Sequence, residues 1–153
     1  MARVVDGVMA PTPTAEAEPF WTALACSQLR LPRCGSCKET FLPPMPRCPA
    51  CGAADVGLVP ASGRGRLYSW VVTHFPFHPA FKSELPFIVG LIELDEGARI
   101  YARLEGEIEK RPTAGARLQA RIHDHGAFKF PVFSLCDSVS RRQTGRDACV
   151  DDT

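Results

Sequence analysis

Four cysteines in two close pairs constrain this chain more than any other feature of its sequence. The pairs are Cys34-Gly-Ser-Cys37 and Cys48-Pro-Ala-Cys51, and ten residues separate them. Each pair fits on a tight turn whose backbone amides point at the sulfur atoms, so two such turns can place four thiolates at the corners of a tetrahedron. Gly52, directly after the last cysteine, lets the second turn close without a steric cost. The spacing therefore predicts a site for one metal ion.

A tetrahedron of four sulfur atoms favours Zn²⁺, which has no geometric preference of its own and binds thiolates well. Iron in a rubredoxin-like electron-transfer site is the alternative metal, and four unligated thiols are the alternative without a metal. Four protein ligands saturate zinc and leave no position for water, so the predicted ion is structural. The other three cysteines, Cys26, Cys136 and Cys149, have no partner at metal-ligand spacing.

The segment around the cysteines has little else to stabilise it. Residues 30–58 are rich in proline and show almost no periodic hydrophobicity. Such a segment cannot bury enough apolar surface to offset its conformational entropy. We therefore predict that residues 30–58 form a zinc ribbon whose fold depends on its metal.

From residue 63 onward, the composition changes to β-strands separated by turns. Five segments are rich in aromatic and β-branched residues, namely 66–75, 87–95, 99–104, 117–123 and 128–133. The segment 117–123 alternates cleanly, which places Leu118, Ala120 and Ile122 inward and Arg121 outward. Five strands in about 70 residues are typical of a small closed barrel of the OB type. The predicted fold class is therefore mainly β, with a five-stranded OB-fold domain over residues 59–137.

The two ends of the chain are predicted to be less compact. Residues 1–15 contain a Pro-Thr-Pro-Thr run and are predicted to be a flexible lead-in, and the charged residues 138–153 a flexible tail. Between the lead-in and the ribbon, residues 16–29 have an apolar face at helical spacing that includes Phe20 and Trp21. This N-terminal helix either packs on its own domain or docks on a partner protein.

The overall charge bears on the choice of partner. Eighteen Lys and Arg residues against seventeen Asp and Glu residues give a formal net charge of +1, which disfavours a dedicated nucleic-acid binder. Single-stranded nucleic-acid binding by the OB-fold stays open as the alternative function, because aromatic and basic residues lie along the predicted strands. These residues are Tyr68, Trp70, Tyr101, Arg64, Arg66, Arg99 and Arg103. The sequence has no apolar run long enough to span a membrane and no signal-peptide pattern, so we expect a cytoplasmic protein.

Several short motifs follow one another along residues 18–135. They are Phe20-Trp21, Leu29 five residues before the first ligand, the Cys-Pro-x-Cys-Gly turn at 48–52, Ser62-Gly-Arg-Gly65, Pro86-Phe87, Leu94–Arg99, Gly115–Leu118 and Pro131-Val-Phe133. This order resembles the family of small acyl-CoA-associated proteins that join a rubredoxin-like zinc ribbon to an OB-fold. The sequence departs from the pattern at Lys38, where the first turn often has glycine, and this departure removes no ligand.

The resemblance implies a non-catalytic accessory or scaffolding subunit of a thiolase-like complex that acts on acyl-CoA substrates. In such complexes a thiolase, acyltransferase or aldolase carries the nucleophilic cysteine, and the small subunit can help to form the acyl-CoA channel. We therefore expect one structural Zn²⁺, a thiolase-like protein partner, and CoA or acyl-CoA at the shared interface. We expect neither a membrane nor a nucleic-acid partner, and no catalysis by this chain alone, because no activated nucleophile is recognisable.

One loop stands out between the first two predicted barrel strands. The sequence from Phe75 to Pro86 contains three phenylalanines and three prolines. It is either a hydrophobic plug over one barrel mouth or a stiff projection toward a partner or an acyl chain, in which the rings line an apolar passage and a lysine faces phosphate. The candidate CoA or partner contacts are Phe75, Phe77, Phe81, Lys82, Arg64 and Arg66. The trio His123-Asp124-His125 is interpreted as a solvated turn, with a second metal or an acid–base role as the alternative.

Overall fold

A computed structural model describes residues 3–5, 8–106 and 112–136. The fold is mainly β with one short α-helix, as the sequence predicts. In chain order the elements are β1 (Arg3–Val5), β2 (Val8–Ala10), α1 (Glu18–Ala25), β3 (Arg30–Cys34), β4 (Val56–Pro60), β5 (Arg64–Thr73), a 3-10 helix (Pro79–Glu84), β6 (Phe87–Leu94), β7 (Arg99–Glu105), β8 (Arg117–Asp124) and β9 (Lys129–Leu135). No helix of the described residues is long and apolar enough to cross a membrane. The predicted tail, residues 138–153, lies outside the described residues.

The five strands β5 to β9 form a closed barrel in the order β5-β6-β7-β9-β8. All neighbours are antiparallel except β7 and β9, which are parallel. The barrel closes because the start of β5 pairs on both sides, with Gly65 opposite Leu94 on β6 and Leu118 on β8. A Cβ atom at Gly65 would lie 2.5 Å from the carbonyl oxygen of Glu93, so this crowded position requires glycine. The OB-fold barrel predicted from the sequence is confirmed.

The barrel interior is filled mainly by the β6–β7 hairpin and is closed by Phe133, which is fully buried. Leu118 on β8 also lies in this core. Further along the same strand face, Ile122 is half-buried and packs against the residues of α1 rather than the barrel centre, while Arg121 is exposed. The predicted alternation along β8 is therefore confirmed, with its inward face shared between two apolar clusters.

The helix α1 has eight residues and lies inside the predicted range 16–29. It ends where Ser27 adopts a positive φ of 58°. The amide of Ser27 donates to the carbonyl of Leu24 (2.8 Å), and the next amide donates to the carbonyl of Ala23 (2.9 Å). These two bonds form a Schellman motif, which ends the helix. The apolar pattern predicts a later end, because glycine usually fills this left-handed position and serine seldom does.

The side chains of α1 divide between the protein core and its surface. Phe20 and Leu24 are buried against β8 and the start of β3. Trp21 is half-buried and packs edge-on against Phe20, with ring centroids 5.6 Å apart. The helix therefore packs on its own domain and leaves part of one aromatic ring accessible.

The predicted flexible lead-in, residues 1–15, contains regular structure. Strands β1 and β2 pair antiparallel with Val5 opposite Val8. The prediction of a flexible lead-in did not include these two strands. The sequence does carry the signal, because β-prone residues flank Asp6-Gly7, a dipeptide favoured in two-residue hairpin turns.

The ribbon strands β3 and β4 pair antiparallel and continue into the barrel. Leu31 of β3 is fully buried in the barrel core cluster. The amide of Ala61, directly after β4, donates to the carbonyl of Leu29 (2.9 Å). The metal-binding turns therefore project from a base that is packed into the barrel.

Candidate metal centre and exposed aromatic surface

The four predicted metal ligands lie on two turns with the same hydrogen-bond pattern. In the first turn the amide of Lys38 donates to the carbonyl of Cys34 (3.1 Å), and in the second the amide of Gly52 donates to the carbonyl of Cys48 (2.9 Å). In each turn the amide of the first cysteine also donates to the carbonyl five residues further on, at 2.9 Å in both cases. The repeated pattern presents two pairs of sulfur atoms toward each other.

The four sulfur atoms all lie within 4.8 Å of one another. The Sγ atoms of Cys34 and Cys51 are 3.6 Å apart, and those of Cys37 and Cys48 are 3.5 Å apart. A regular tetrahedron with metal–sulfur bonds of about 2.3 Å has sulfur–sulfur edges of about 3.8 Å. The cluster therefore has the size that one tetrahedral ion needs, and it is the one group in the described residues whose potential ligand atoms lie this close.

The electrostatics of the cluster call for a cation. The backbone amide of Cys37, 3.4 Å from the sulfur of Cys34, lowers the pKa of Cys34 to about 6. The amide of Glu39 lowers the pKa of Cys37, but the neighbouring thiols of Cys51 and Cys48 outweigh it and raise that pKa to about 12. Four thiols this close cannot all ionise unless a positive charge lies among them. A bound metal ion supplies that charge.

Three basic side chains surround the turns. Lys38 donates to the carbonyl of Gly35 (2.5 Å), Arg47 donates to the carbonyl of Gly52 (3.1 Å), and Arg33 donates to the carbonyl of Lys38 (3.2 Å). A divalent ion with four thiolates carries two excess negative charges. These cations both fix the turns and offset that charge, as partners around metal ligands commonly do.

The two turns differ at the residue after the second cysteine. Gly52 has a φ of 75°, and Lys38, at the equivalent position of the first turn, has a φ of 66°. A residue with a Cβ atom pays about 1 kcal/mol or more in this left-handed region. Lys38 therefore adopts this conformation at a cost in backbone energy. Its side chain donates a hydrogen bond to the carbonyl of Gly35 in the same turn.

The side chains of the aromatic loop between β5 and β6 differ in their exposure to solvent. Phe75 and Phe77 are 85% and 90% exposed. Phe81 is half-buried, and its ring centroid lies 6.4 Å from that of Phe87. Lys82 is exposed on the 3-10 helix. Phe81 therefore packs on a residue of β6, whereas Phe75 and Phe77 project from the loop.

The two arginines proposed with this loop lie elsewhere. Arg64 and Arg66 are exposed at the start of β5, whereas the loop follows the end of that strand. Arg66 lies opposite Glu93 on one side and Arg117 on the other. The structure therefore does not bring these arginines together with the aromatic loop, and most of the length of β5 separates them.

The residues proposed for nucleic-acid stacking are only partly available. Tyr68 and Tyr101 are 54% and 76% exposed, but Trp70 packs against the barrel core. Arg99 lies over the ring of Tyr68 at 4.0 Å and pairs with Glu93 at 2.9 Å. The positive charge of Arg99 beside Tyr68 is therefore already balanced by Glu93, which weakens the case for nucleic-acid binding.

The two histidines at the end of β8 belong to an aromatic cluster, and Asp124 between them is exposed. The ring of His125 stacks on that of Phe128 at 5.9 Å with an interplanar angle of 1°. The ring of His123 lies 5.3 Å from that of Phe130. These histidines line a pocket beside the aromatic loop.

Sequence reasoning missed an apolar groove built from three separate regions of the chain. Its volume is about 880 Å³. Trp21 of α1 and Pro43 and Pro44 of the ribbon form one side, and the outer face of β6 and β7, with Leu91 and Tyr101, forms the floor. No local pattern indicates it, because its lining residues extend along the chain from Ala17 before α1 to Pro131 on β9.

Comparison with known proteins gives matches to both parts of the chain. Residues 21–57 match the family described as "ChsH2, rubredoxin-like zinc ribbon domain", and residues 58–123 match "ChsH2, C-terminal OB-fold domain". A solved structure of the Ltp2-ChsH2(DUF35) aldolase contains a chain that is 34% identical to this one, with a TM-score of 0.74. The match covers 82% of this chain and 98% of that chain.

Two curated relatives are longer proteins. The chain is 46% identical over 88 residues to a probable enoyl-CoA hydratase alpha subunit of Thermomonospora curvata, which covers 57% of this chain and 27% of the relative. It is 38% identical over 74 residues to the benzoylsuccinyl-CoA thiolase subunit BbsA of Thauera aromatica, which covers 48% of this chain and 49% of the relative. The matches thus span half or less of the length of these relatives. Because both domain matches occur in chain order and a solved relative is covered almost end to end, the chain belongs to the ChsH2 family, in which a rubredoxin-like zinc ribbon is joined to an OB-fold domain.

Proposed function

We propose that this protein is a non-catalytic accessory subunit that holds a thiolase-like enzyme in a complex acting on acyl-CoA substrates. The partner is a thiolase, acyltransferase or aldolase and carries the reactive groups. The observation that supports docking is the exposure of Phe75 and Phe77, at 85% and 90%. The relatives named as a thiolase subunit and an aldolase support the class of partner.

The aromatic loop is suited to docking because it is anchored at its base. Phe81 packs on Phe87, and His78 accepts a hydrogen bond from the amide of Ala80 (3.2 Å) at the start of the 3-10 helix. Pro76 lies between the two projecting rings and restricts the backbone there. A segment that is already ordered loses little entropy on binding, and buried aromatic rings dominate many interfaces.

We assign Zn²⁺ as the ion of the ribbon, held by Cys34, Cys37, Cys48 and Cys51. Two observations support this assignment, the tetrahedral size of the sulfur cluster and the match to a zinc-ribbon family. The ion stabilises the ribbon and takes no part in the reaction, because four protein ligands leave no open position. Four reduced thiolates suit a reducing compartment, so we place the complex in the cytoplasm.

The test is isolation of the tagged protein from its own cells under mild lysis, followed by mass spectrometry. We expect a thiolase-like protein in a fixed ratio to the tagged chain. Replacing Phe75 and Phe77 together by serine should weaken that association at least about tenfold, because each ring contributes about 1.5 to 3 kcal/mol when buried. Leu135→Ser is the control, since Leu135 is 43% exposed and lies on β9, away from the loop.

Two results would contradict the proposal. One is equal recovery of the partner with the double variant and with the control. The other is recovery of single-stranded nucleic acid without any thiolase-like protein, released by added salt, which would favour the alternative function.

A further inference from the structure

Two apolar features of the surface lie next to each other along β6. One is the aromatic loop, from which Phe75 and Phe77 project with 85% and 90% of their surface exposed. The other is the apolar groove of about 880 Å³ on the outer face of β6 and β7. The loop ends where β6 begins at Phe87, and the groove is lined by Val89, two residues further on. Projecting rings and an open apolar groove are both unfavourable in water, so each gains from being covered.

We propose that two copies of this chain associate in solution, with Phe75 and Phe77 of each copy inserted into the apolar groove of the other. Each copy gives one loop and one groove, so the same contact occurs twice around a two-fold axis. This dimer does not depend on the proposed function. It is the form of the free subunit, and a thiolase-like partner competes with the second copy for the same two rings.

The loop and the groove match in chemistry. Trp21 and Tyr101 give the groove aromatic surface, and Leu91 gives it aliphatic surface. Pro76, between the two projecting rings, fixes its own φ and limits the freedom of the segment. Aromatic-lined grooves are a common means of binding extended segments that contain proline. The loop is therefore a suitable occupant of the groove, and it loses little entropy when it binds.

The charged groups beside the groove do not oppose this contact. Arg99 and Arg103 both line the groove. Arg99 pairs with Glu93 at 2.9 Å, and Arg103 pairs with Glu84 of the 3-10 helix. Because both guanidinium groups already have a carboxylate partner, the inserted rings leave no unpaired charge away from water.

The buried area decides between a closed dimer and an open chain of copies. Aromatic side chains bury about 150 to 250 Å² each, so two rings that are almost fully exposed supply about 300 to 500 Å². The groove loses a similar area, so one loop-in-groove contact buries about 600 to 1,000 Å² in total, which is small for a stable interface. Two contacts bury about 1,200 to 2,000 Å², the usual size of a specific interface. The closed dimer is therefore the stable arrangement.

The first experiment is sedimentation of the full-length, zinc-loaded protein without a partner, over a range of concentrations. We expect a monomer–dimer equilibrium with a Kd of about 1 to 100 µM, because interfaces at the lower end of this size range bind weakly. The double change Phe75→Ser and Phe77→Ser should raise the Kd at least about tenfold. Tyr101→Asp should do the same from the groove side, and Tyr101 is 76% exposed, so its replacement does not threaten the fold.

Leu135→Ser is the matched control, because Leu135 is exposed and does not line the groove. It should leave the Kd unchanged. Zinc content and melting temperature are measured for every variant, so that a loss of association is not confused with a loss of folding.

A photocross-link locates the contact. Phe77 is replaced by the photoreactive ring of benzoylphenylalanine, in an equal mixture of unlabelled and isotope-labelled protein. Irradiation should join residue 77 of one copy to a groove peptide of the other copy, namely one that contains Trp21, Leu91 or Tyr101. Mass spectrometry should find cross-linked pairs that carry both isotope labels.

A protein that stays monomeric at the highest concentration, a Tyr101→Asp variant that dimerises like the wild type, or cross-links outside the groove would overturn the inference. So would species that grow beyond a dimer, or cross-links within one chain to residues 138–153, which would make the end of the chain the occupant. If the protein is monomeric but isolates a thiolase-like partner from its cells, this inference fails and the proposed function stands. A dimer from cells that yield no such partner would give the reverse result.

Discussion

The hydroxyl of Thr40 donates a hydrogen bond of 2.6 Å to the backbone carbonyl of Glu96, which lies 56 residues further along the chain. Thr40 belongs to the ribbon, and Glu96 to the turn between β6 and β7. The carboxylate of the same glutamate accepts a bond from the amide of Ser62 (2.6 Å). One turn residue of the barrel therefore hydrogen-bonds both to the middle of the ribbon and to the segment that links the ribbon to β5.

The first prediction concerns this connection. Thr40→Val should lower the free energy of unfolding by about 1 kcal/mol, because the hydroxyl bond is lost while the shape is kept. Glu96→Ala should cost about 1 kcal/mol, because the bond from the amide of the exposed Ser62 is lost and water can replace its acceptor. Urea unfolding measures both, with Thr113→Val as the control at an exposed threonine. A control as destabilised as Thr40→Val would mean that the bond contributes nothing.

The second prediction uses the two metal-binding turns. Lys38→Gly should raise the free energy of unfolding by about 1 kcal/mol, since glycine adopts the φ of 66° without a penalty. Gly52→Ala, the matched change in the second turn, should lower it by a similar amount, because Gly52 has a φ of 75°. Thermal unfolding of the zinc-loaded proteins provides the comparison. A destabilising Lys38→Gly would show that the bond from Lys38 to Gly35 outweighs the backbone cost.

The third prediction concerns removal of the metal. Cys34→Ser should abolish stoichiometric zinc and unfold residues 30–58, because binding energy at such a site is largely folding energy. The barrel should keep its strand pairing, since its strands are closed on themselves, but it should be less stable because Leu31 of the ribbon leaves the shared core. Metal analysis and amide hydrogen exchange distinguish the two parts. Cys26→Ser is the control at an exposed cysteine outside the cluster, and it should retain one zinc ion.

The fourth prediction tests the contact between β8 and α1 and the register of β8. Ile122→Asp should lower the free energy of unfolding by about 2 kcal/mol or more, because a charge then faces the apolar contact with Phe20 and Leu24. Arg121→Asp, one residue away on the exposed face, should cost less than about 1 kcal/mol through its lost pairing with Glu105. Urea unfolding should separate the two variants. Equal effects would contradict the register of β8.

The parts of the fold that depend on local sequence could be predicted from it. The cysteine spacing implied two matching turns, because a turn of this kind is closed by hydrogen bonds between residues five apart or fewer. The alternation along β8 gave its inward face, since neighbouring side chains on a strand point to opposite sides. The pairing of β1 and β2 also has a local signal, because β-prone residues flank Asp6-Gly7.

The end of α1 could not be predicted in the same way. Its apolar pattern continues to Leu29, yet the helix stops at Ala25 because Ser27 takes a left-handed conformation. Nothing in the sequence marks Ser27 as such a residue, since serine adopts this conformation far less often than glycine or asparagine. Two residues after Ser27, Leu29 is buried in the apolar cluster with Phe20.

The sequence by itself determined the four-cysteine cluster, the barrel class and the presence of an aromatic loop, because each depends on spacing or composition within a short segment. Only the tertiary structure decided that Phe81 packs inward while Phe77 projects, since the difference comes from Phe87, which β6 places beneath one ring and not the other. The apolar groove is decided in the same way. Its walls come from α1, the ribbon and the barrel, and they meet only because strand pairing and core packing bring distant residues together.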